Sequence, residues 1–174
     1  ENYLAAFSAV EGEVLPETCA KVARTFAGVE HRAELTRVLD GVRYYNDSIA
    51  SSPTRTEKGT LSLFKQKIIL LAGGYDKHIP YDHLGEVIPH TVKTLILMGD
   101  TGPRIEEAVR KAPDYREGEP ATYHADSMEQ AVKLAHDLAK SGDIVSLSPA
   151  SASFDMYRDF EERGRHFKAL VAQL

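Results

Sequence analysis

A single cysteine, Cys19, stands in 174 residues. That excludes a disulfide framework and a cysteine-built metal site, and it makes a cytosolic (cytoplasmic) protein the economical reading. No apolar run approaches the roughly 18 residues that a membrane span needs. The first ten residues have no basic start and are interrupted by polar ones, unlike a signal peptide. Long basic runs are missing too, and the formal net charge is −5, so neither a membrane nor nucleic acid is expected as the main partner. The phosphate-gripping spacing G-x-x-x-x-G-K-S/T occurs nowhere in the chain. The histidines show no metal-ligand spacing such as H-x-x-x-H. Sequence order places no Ser-His-Asp arrangement. Repeats and low-complexity linkers are absent.

What remains is an ordinary globular composition, 43% apolar and 27% charged, long enough for one good core with an appendage. Residues 33–39 and 42–46 read as strands around Asp40-Gly41, a good hairpin signal. The pattern then alternates: helix 54–64, strand 67–72, short helix 81–87, strand 94–98, helix 103–111, strand 121–124, helix 128–140 and strand 144–147. Ser127 and Gln130 have capping-box spacing. Ile68-Ile69-Leu70-Leu71, Leu95-Ile96-Leu97 and Ile144-Val145 are continuous apolar runs, as in strands buried on both faces. The predicted class is therefore α/β, a Rossmann-like, mostly parallel sheet with flanking helices.

Two helices without an intervening strand precede that unit, at 1–11 and 16–26. Pro16 suits a first helical position. Cys19, Val22, Ala23 and Phe26 form one apolar stripe, and Gly28 marks the stop. The uncapped start at Glu1 reads as a cut from a longer protein. The expected division is 1–30, the helical end of a neighbouring domain, and 31–174.

The stretch 143–156 organises the rest. Ile144 to Leu147 is a strand that runs into Ser148-Pro149-Ala150-Ser151-Ala152-Ser153 and then into a polar helix expected from Asp155 to about Leu174. Small residues between a strand end and a helix start suit a ligand, and free N–H groups at such a start favour an anion. A tight turn without a ligand reads equally well. Two further loops follow strands. In Asn46-Asp47-Ser48-Ile49-Ala50-Ser51-Ser52-Pro53, Asp47 either accepts from a ribose or makes a turn, and Ser52 is a candidate helix cap. In Gly73-Gly74-Tyr75-Asp76-Lys77-His78, the glycines let backbone pass close to a ligand, while Lys77 is a point charge for a carboxylate or phosphate, or simply a solvated lysine. Phe160 reads as core or ligand wall, Glu161-Glu162 as a solvated face, and His31-Arg32 as a surface pair or a functional one.

Taken together, Leu147-Ser148-Pro149-Ala150-Ser151-Ala152-Ser153-Phe154-Asp155 with Phe160-Glu161-Glu162-Arg163-Gly164-Arg165, and Gly28-Val29-Glu30-His31-Arg32, Tyr45-Asn46-Asp47-Ser48 and Gly73-Gly74-Tyr75-Asp76-Lys77 in the same chain order, resemble motifs of the Mur ligases, and the ordered set is far more specific than any one of them. The likeness covers essentially the whole chain and is strongest to members that add D-glutamate. It implies the end of a central ATPase domain (1–30, with a hinge near 27–32) followed by a Rossmann-like amino-acid-binding domain (31–174). It implies ATP as cosubstrate, with the P-loop and the magnesium ligands elsewhere. D-glutamate and UDP-N-acetylmuramoyl-L-alanine would be the small-molecule substrates. The N-terminal and central domains of the same chain would be its partners. By resemblance, Lys77, Ser51, Ser153, Phe154 and Phe160 line the D-glutamate site, and Asn2, His31, Arg32 and Asp47 touch ATP. Two departures stand out: Ile49 where many members carry lysine, and Ser151 where many carry cysteine. The rival expectations are a folate-glutamylating ligase of the same superfamily and a non-catalytic module that binds a nucleotide or an acidic metabolite.

Overall fold

Asp40 and Gly41 both take positive φ, 50° and 79°, the backbone that a two-residue hairpin turn requires. They join β1 (Glu34–Leu39) antiparallel to β2 (Val42–Asn46). This computed structural model describes residues 2–26 and 28–174, without the side chain of Asn2.

After β2 come α3 (Pro53–Thr56), continued directly by a π-helical turn (Glu57–Leu61), then β3 (Ile68–Gly73) and α4 (Asp82–Thr91). They are followed by β4 (Val92–Met98), α5 (Gly102–Lys111), β5 (Ala121–His124), α6 (Met128–Leu138), β6 (Ile144–Leu147) and α7 (Phe160–Gln173). The six strands run in the order β1-β2-β6-β3-β4-β5, and every pair except β1·β2 is parallel. The α/β, mostly parallel expectation holds. Half of the capping box forms: Gln130 N–H donates to Ser127 Oγ at 3.3 Å, while the Gln130 side chain accepts from the N–H of Asp126, one residue before the cap, at 2.8 Å.

Ile69, Leu71 and Ile96 point to one face with α6 and α7, where Met128, Ala131, Phe167 and Val171 cover them. Ile68, Leu70, Leu95 and Leu97 point to the other, under Leu84, Ile88, Ile105 and Val109 of α4 and α5. Each such fully buried side chain stabilises by about 1.5–3 kcal/mol. The alternation inside continuous apolar runs explains why these strands lack a polar face.

Ahead of the sheet lie α1 (Asn2–Ala9) and α2 (Pro16–Thr25). The stripe on α2 buries nothing among the described residues, and Val22 and Phe26 are about half exposed. Tyr3 meets Phe26 edge-on at 6.2 Å. No helix among the described residues is long and apolar enough to cross a membrane.

Two sequence expectations are corrected. The last helix starts at Phe160 rather than Asp155: a single turn closes on the Ser153 carbonyl from the Met156 and Tyr157 N–H groups, and Asp159 then takes an extended backbone, φ −155° and ψ 171°, that separates this turn from the helix. Asp159 caps that later start by accepting from Glu162 N–H at 2.7 Å, so a carboxylate of the chain itself takes one of the N–H groups there. Ser52 precedes α3 without a side-chain cap bond.

Candidate functional site

Because β2, β6, β3 and β4 are parallel, the loops at 47–52, 148–159, 73–80 and 99–101 leave one edge of the sheet. The loop after β2 leads to α3 on one face and the loop after β6 to α7 on the other. Their divergence opens a crevice at the strand ends, the usual ligand place in such sheets. Backbone bonds stitch the loops together: Asp47 N–H to Leu147 O, Gly73 N–H to Pro149 O, Tyr75 N–H to Ala152 O and Thr101 N–H to Gly74 O. Gly73 and Gly74 both have positive φ, and a side-chain carbon on either would overlap the carbonyl of Met98 or Ala152. The paired glycines thus let two loops close on each other.

Asp47 is 4% exposed and anchors the first loop. Its carboxylate accepts from Ala33 N–H (3.1 Å), Thr60 Oγ1 (2.7 Å) and Ser148 Oγ (2.9 Å). A carboxylate has about four acceptor sites, so one remains for a ligand hydroxyl. Asp47 lines a cleft of about 660 Å³ with Arg32, Ile49, Arg55, Lys58 and Leu63. His31 does not line it. Its ring is buried, with Nδ1 accepting from the Asn46 amide at 2.9 Å and the ring edge-on to Phe160 at 6.0 Å. The side chain of Asn2 lies outside the described residues.

On the neighbouring loops, Lys77 is exposed and forms no ion pair among the described residues. Asp76 beside it is taken by Arg104 and by the His78 N–H, and the His78 bond leads the interactions that hold its carboxyl below the usual range. The Tyr75–Ala152 bridge places Ser153 and Phe154 near this lysine loop. Ser153 is buried. Phe154 is 62% exposed and meets Tyr75 edge-on at 5.9 Å. Ser51 is half-buried in the loop after β2. Phe160 is half-buried, and its carbonyl accepts from Ser48 Oγ at 2.7 Å. The departure Ser151 is buried in a hydroxyl chain, 2.8 Å from Tyr81 Oη and 2.7 Å from Thr101 Oγ1.

Arg163 is the residue that sequence reasoning left without a role. It is 2% exposed, and its guanidinium donates to Ser48 Oγ (3.0 Å) and to the carbonyls of Ser48 (2.9 Å), Ala152 (2.9 Å) and Ser151 (3.1 Å). One fork thus ties the loop after β2 to the loop after β6. Burial pulls its pKa down to about 10, so it stays charged at neutral pH. Its spacing with Phe167 and Val171, both buried, at i, i+4 and i+8, was the available signal. Nearby, both carboxylate oxygens of Asp155 are buried without a hydrogen-bond partner among the described residues. Burial raises its pKa, offset in part by the amides of Asp155 and Asp100 and by the Arg163 charge.

Among the described residues one cluster has metal-ligating side chains: Glu30, His31 and Glu34. The Lys168 ammonium already sits there, 3.1 Å from Glu30 and 2.5 Å from Glu34. Magnesium takes an octahedron of oxygens, and these residues do not fit it.

The protein-family model described as "Mur ligase, glutamate ligase domain" matches residues 31–151. The chain is 55% identical over 98% of its length to the UDP-N-acetylmuramoylalanine–D-glutamate ligase of Acetivibrio thermocellus, and 50% identical over 98% to that of Clostridium perfringens. In each case it spans 37% of the relative. Among solved structures, Escherichia coli FolC in complex with DHPP and ADP shares the fold, with a TM-score of 0.63 and 21% identity over 98% of this chain and 38% of that one. A folylpolyglutamate synthase of Mycobacterium tuberculosis complexed with ADP superposes with a TM-score of 0.61 at 14% identity, over 96% of this chain and 38% of that one. With a family model over more than half its residues and relatives at this identity along nearly all of it, the chain belongs to the Mur ligases.

Proposed function

We propose that this chain is part of the ATP-dependent ligase that joins D-glutamate to UDP-N-acetylmuramoyl-L-alanine, a cytoplasmic step in making the peptidoglycan precursor. The observation that carries this reading is the identity of 50–55% to ligases of that name along nearly the whole chain. Likeness to the folate enzymes is at the level of fold, so the folate reading has no comparable support.

In this reading residues 1–30 close a central ATPase domain, and 31–174 form the domain that brings the amino acid. The rest of the longer protein supplies the P-loop and the magnesium ligands. ATP phosphorylates the alanyl carboxylate. The D-glutamate amine then attacks the acyl carbon: a C–N bond forms, the C–O bond to phosphate breaks, and the amine gives up its proton. Such a reaction gains mostly from positioning and charge stabilisation.

Lys77, with Ser51 and Ser153, would hold the substrate's carboxylates, and Phe154 and Phe160 would wall the site. A cation suits this task, because it holds a carboxylate without competing for the uncharged amine. Arg32 would face the phosphates and Asp47, by its remaining acceptor site, a ribose hydroxyl. Asn2 and His31 would complete the nucleotide side, His31 through the backbone it sets rather than through its inward-facing ring. Closure about residues 27–32 would keep water from the acyl phosphate.

The test is product analysis by mass spectrometry with the full-length ligase, ATP and UDP-N-acetylmuramoyl-L-alanine. D-glutamate is expected to be added and L-glutamate not. The 174-residue chain by itself is expected to give no product. Addition of a different amino acid, or ligation by the chain alone, overturns the reading.

A further inference from the structure

The cleft beside Asp47 carries three cations, and the functional reading uses one of them. Arg32, Arg55 and Lys58 all line it and are all exposed. None has a carboxylate within 4.0 Å among the described residues, whereas Arg110 and Lys111 of α5 are paired along their helix and Arg104 pairs with Asp76. Three like charges around one cleft repel one another at a cost that an anion would relieve.

The local backbone explains the arrangement. α3 passes into a π-helical turn at Glu57–Leu61, a distortion often found at functional sites. The turn sends Thr60 inward to Asp47, 2.7 Å away, and sets Gly59 over the same carboxylate, where an added side-chain carbon would stand 3.7 Å from Asp47 Oδ2. Arg55 in α3 and Lys58 within the π-helical turn, three residues apart, stay on the open side. The cleft also offers apolar surface at Ile49 and Leu63, the latter 57% exposed. A small dicarboxylate has no flat apolar part to cover that surface. A nucleotide has a base for it, a ribose for Asp47 and phosphates for the cations.

We propose that Arg55 and Lys58 are nucleotide-positioning residues that, with Arg32, form a cationic arc for the phosphates of the bound nucleotide. This rests on the reading of the chain as part of an ATP-dependent ligase.

The experiment is steady-state kinetics of the full-length ligase, with ADP and adenosine as competing inhibitors. The variants are Arg55→Ala, Lys58→Ala, the double variant, Arg55→Lys, and Lys133→Ala on α6 as a control for lost surface charge. Each single alanine is expected to raise KM for ATP and Ki for ADP about three- to fivefold, and the pair about tenfold, more at low salt. Ki for adenosine and KM for D-glutamate should stay within about twofold. Arg55→Lys should retain most of the affinity, and Lys133→Ala should match the parent. A double variant whose ADP and ATP constants stay within about 1.5-fold of the parent overturns the inference, as does an equal loss for adenosine and ADP. A parent enzyme that neither uses ATP nor responds to ADP overturns the functional reading itself, and the arc with it.

Discussion

Arg163→Ala removes a buried fork and orphans what it served. Three carbonyls, of Ser48, Ser151 and Ala152, lose a charge-assisted donor, and Ser48 Oγ loses one as well. Hydrogen bonds to charged groups contribute ~1.5–3 kcal/mol each, and a buried acceptor left unpaired costs ~1–3 kcal/mol. The desolvation that pulls the Arg163 pKa down to about 10 is relieved on removal and offsets part of that loss. A net loss of about 4 kcal/mol follows, with water filling part of the void. For a chain of this size that lowers Tm by roughly 8–16 °C. Arg163→Lys should recover less than half, because one ammonium cannot reach acceptors on both loops. The assay is thermal unfolding of the 174-residue chain by circular dichroism, with the full-length variant assayed well below its Tm. Loss of the tie between the loops after β2 and β6 should lower kcat even there. A Tm within 2 °C of the parent, with unchanged turnover, would refute the idea that this guanidinium organises the site.

Asp155→Asn should make stability less dependent on pH. Burial raises this carboxyl's folded pKa, so the stability it contributes is fully present below its ordinary value of 3.8 and is lost as pH rises through the folded pKa. Urea unfolding of parent and variant across that window should show the parent falling relative to the variant, and parallel curves would count against it. Gly164→Ala should destabilise by about 2–4 kcal/mol, since the new carbon would overlap the buried His31 ring; the midpoint of urea unfolding checks this. Asp47→Ala should raise KM for ATP and also lower Tm, because it frees Thr60, Ser148 and the Ala33 N–H at once. An effect on neither, by kinetics and calorimetry, contradicts both roles given to Asp47.

The sheet was legible because its causes are local. Asp40-Gly41 carries its own turn, and the apolar runs at Ile68 and Leu95 announce strands covered on both faces. The start of α7 was not, because residues 155–159 are polar enough to pass for a helical turn, while the Ser153 carbonyl that captures two amides belongs to a loop shaped by distant strands. Arg163 hid for the same reason. Between Glu162 and Gly164 it reads as surface charge, and only the carbonyls of residues 48, 151 and 152 make a buried guanidinium tolerable. Asp47 was expected either at a ribose or in a turn. Its tie to Thr60 depends on a π-helical turn that no simple periodicity announces.

The division of labour between the lysine loop and the Asp47 cleft is tested most directly by one comparison on full-length Lys77→Ala: kcat/KM for D-glutamate beside the rate of acyl-phosphate formation in its absence. Lys77 is exposed in the chain by itself; in the proposed reaction bound D-glutamate and domain closure bury it, and loss of one partner of a pair so buried costs ~2–5 kcal/mol. The account predicts that kcat/KM for D-glutamate falls by about 30-fold or more while acyl-phosphate formation stays near the parent rate. A kcat/KM within about threefold of the parent, a change of ~0.7 kcal/mol, would make Lys77 a solvated loop residue and contradict it.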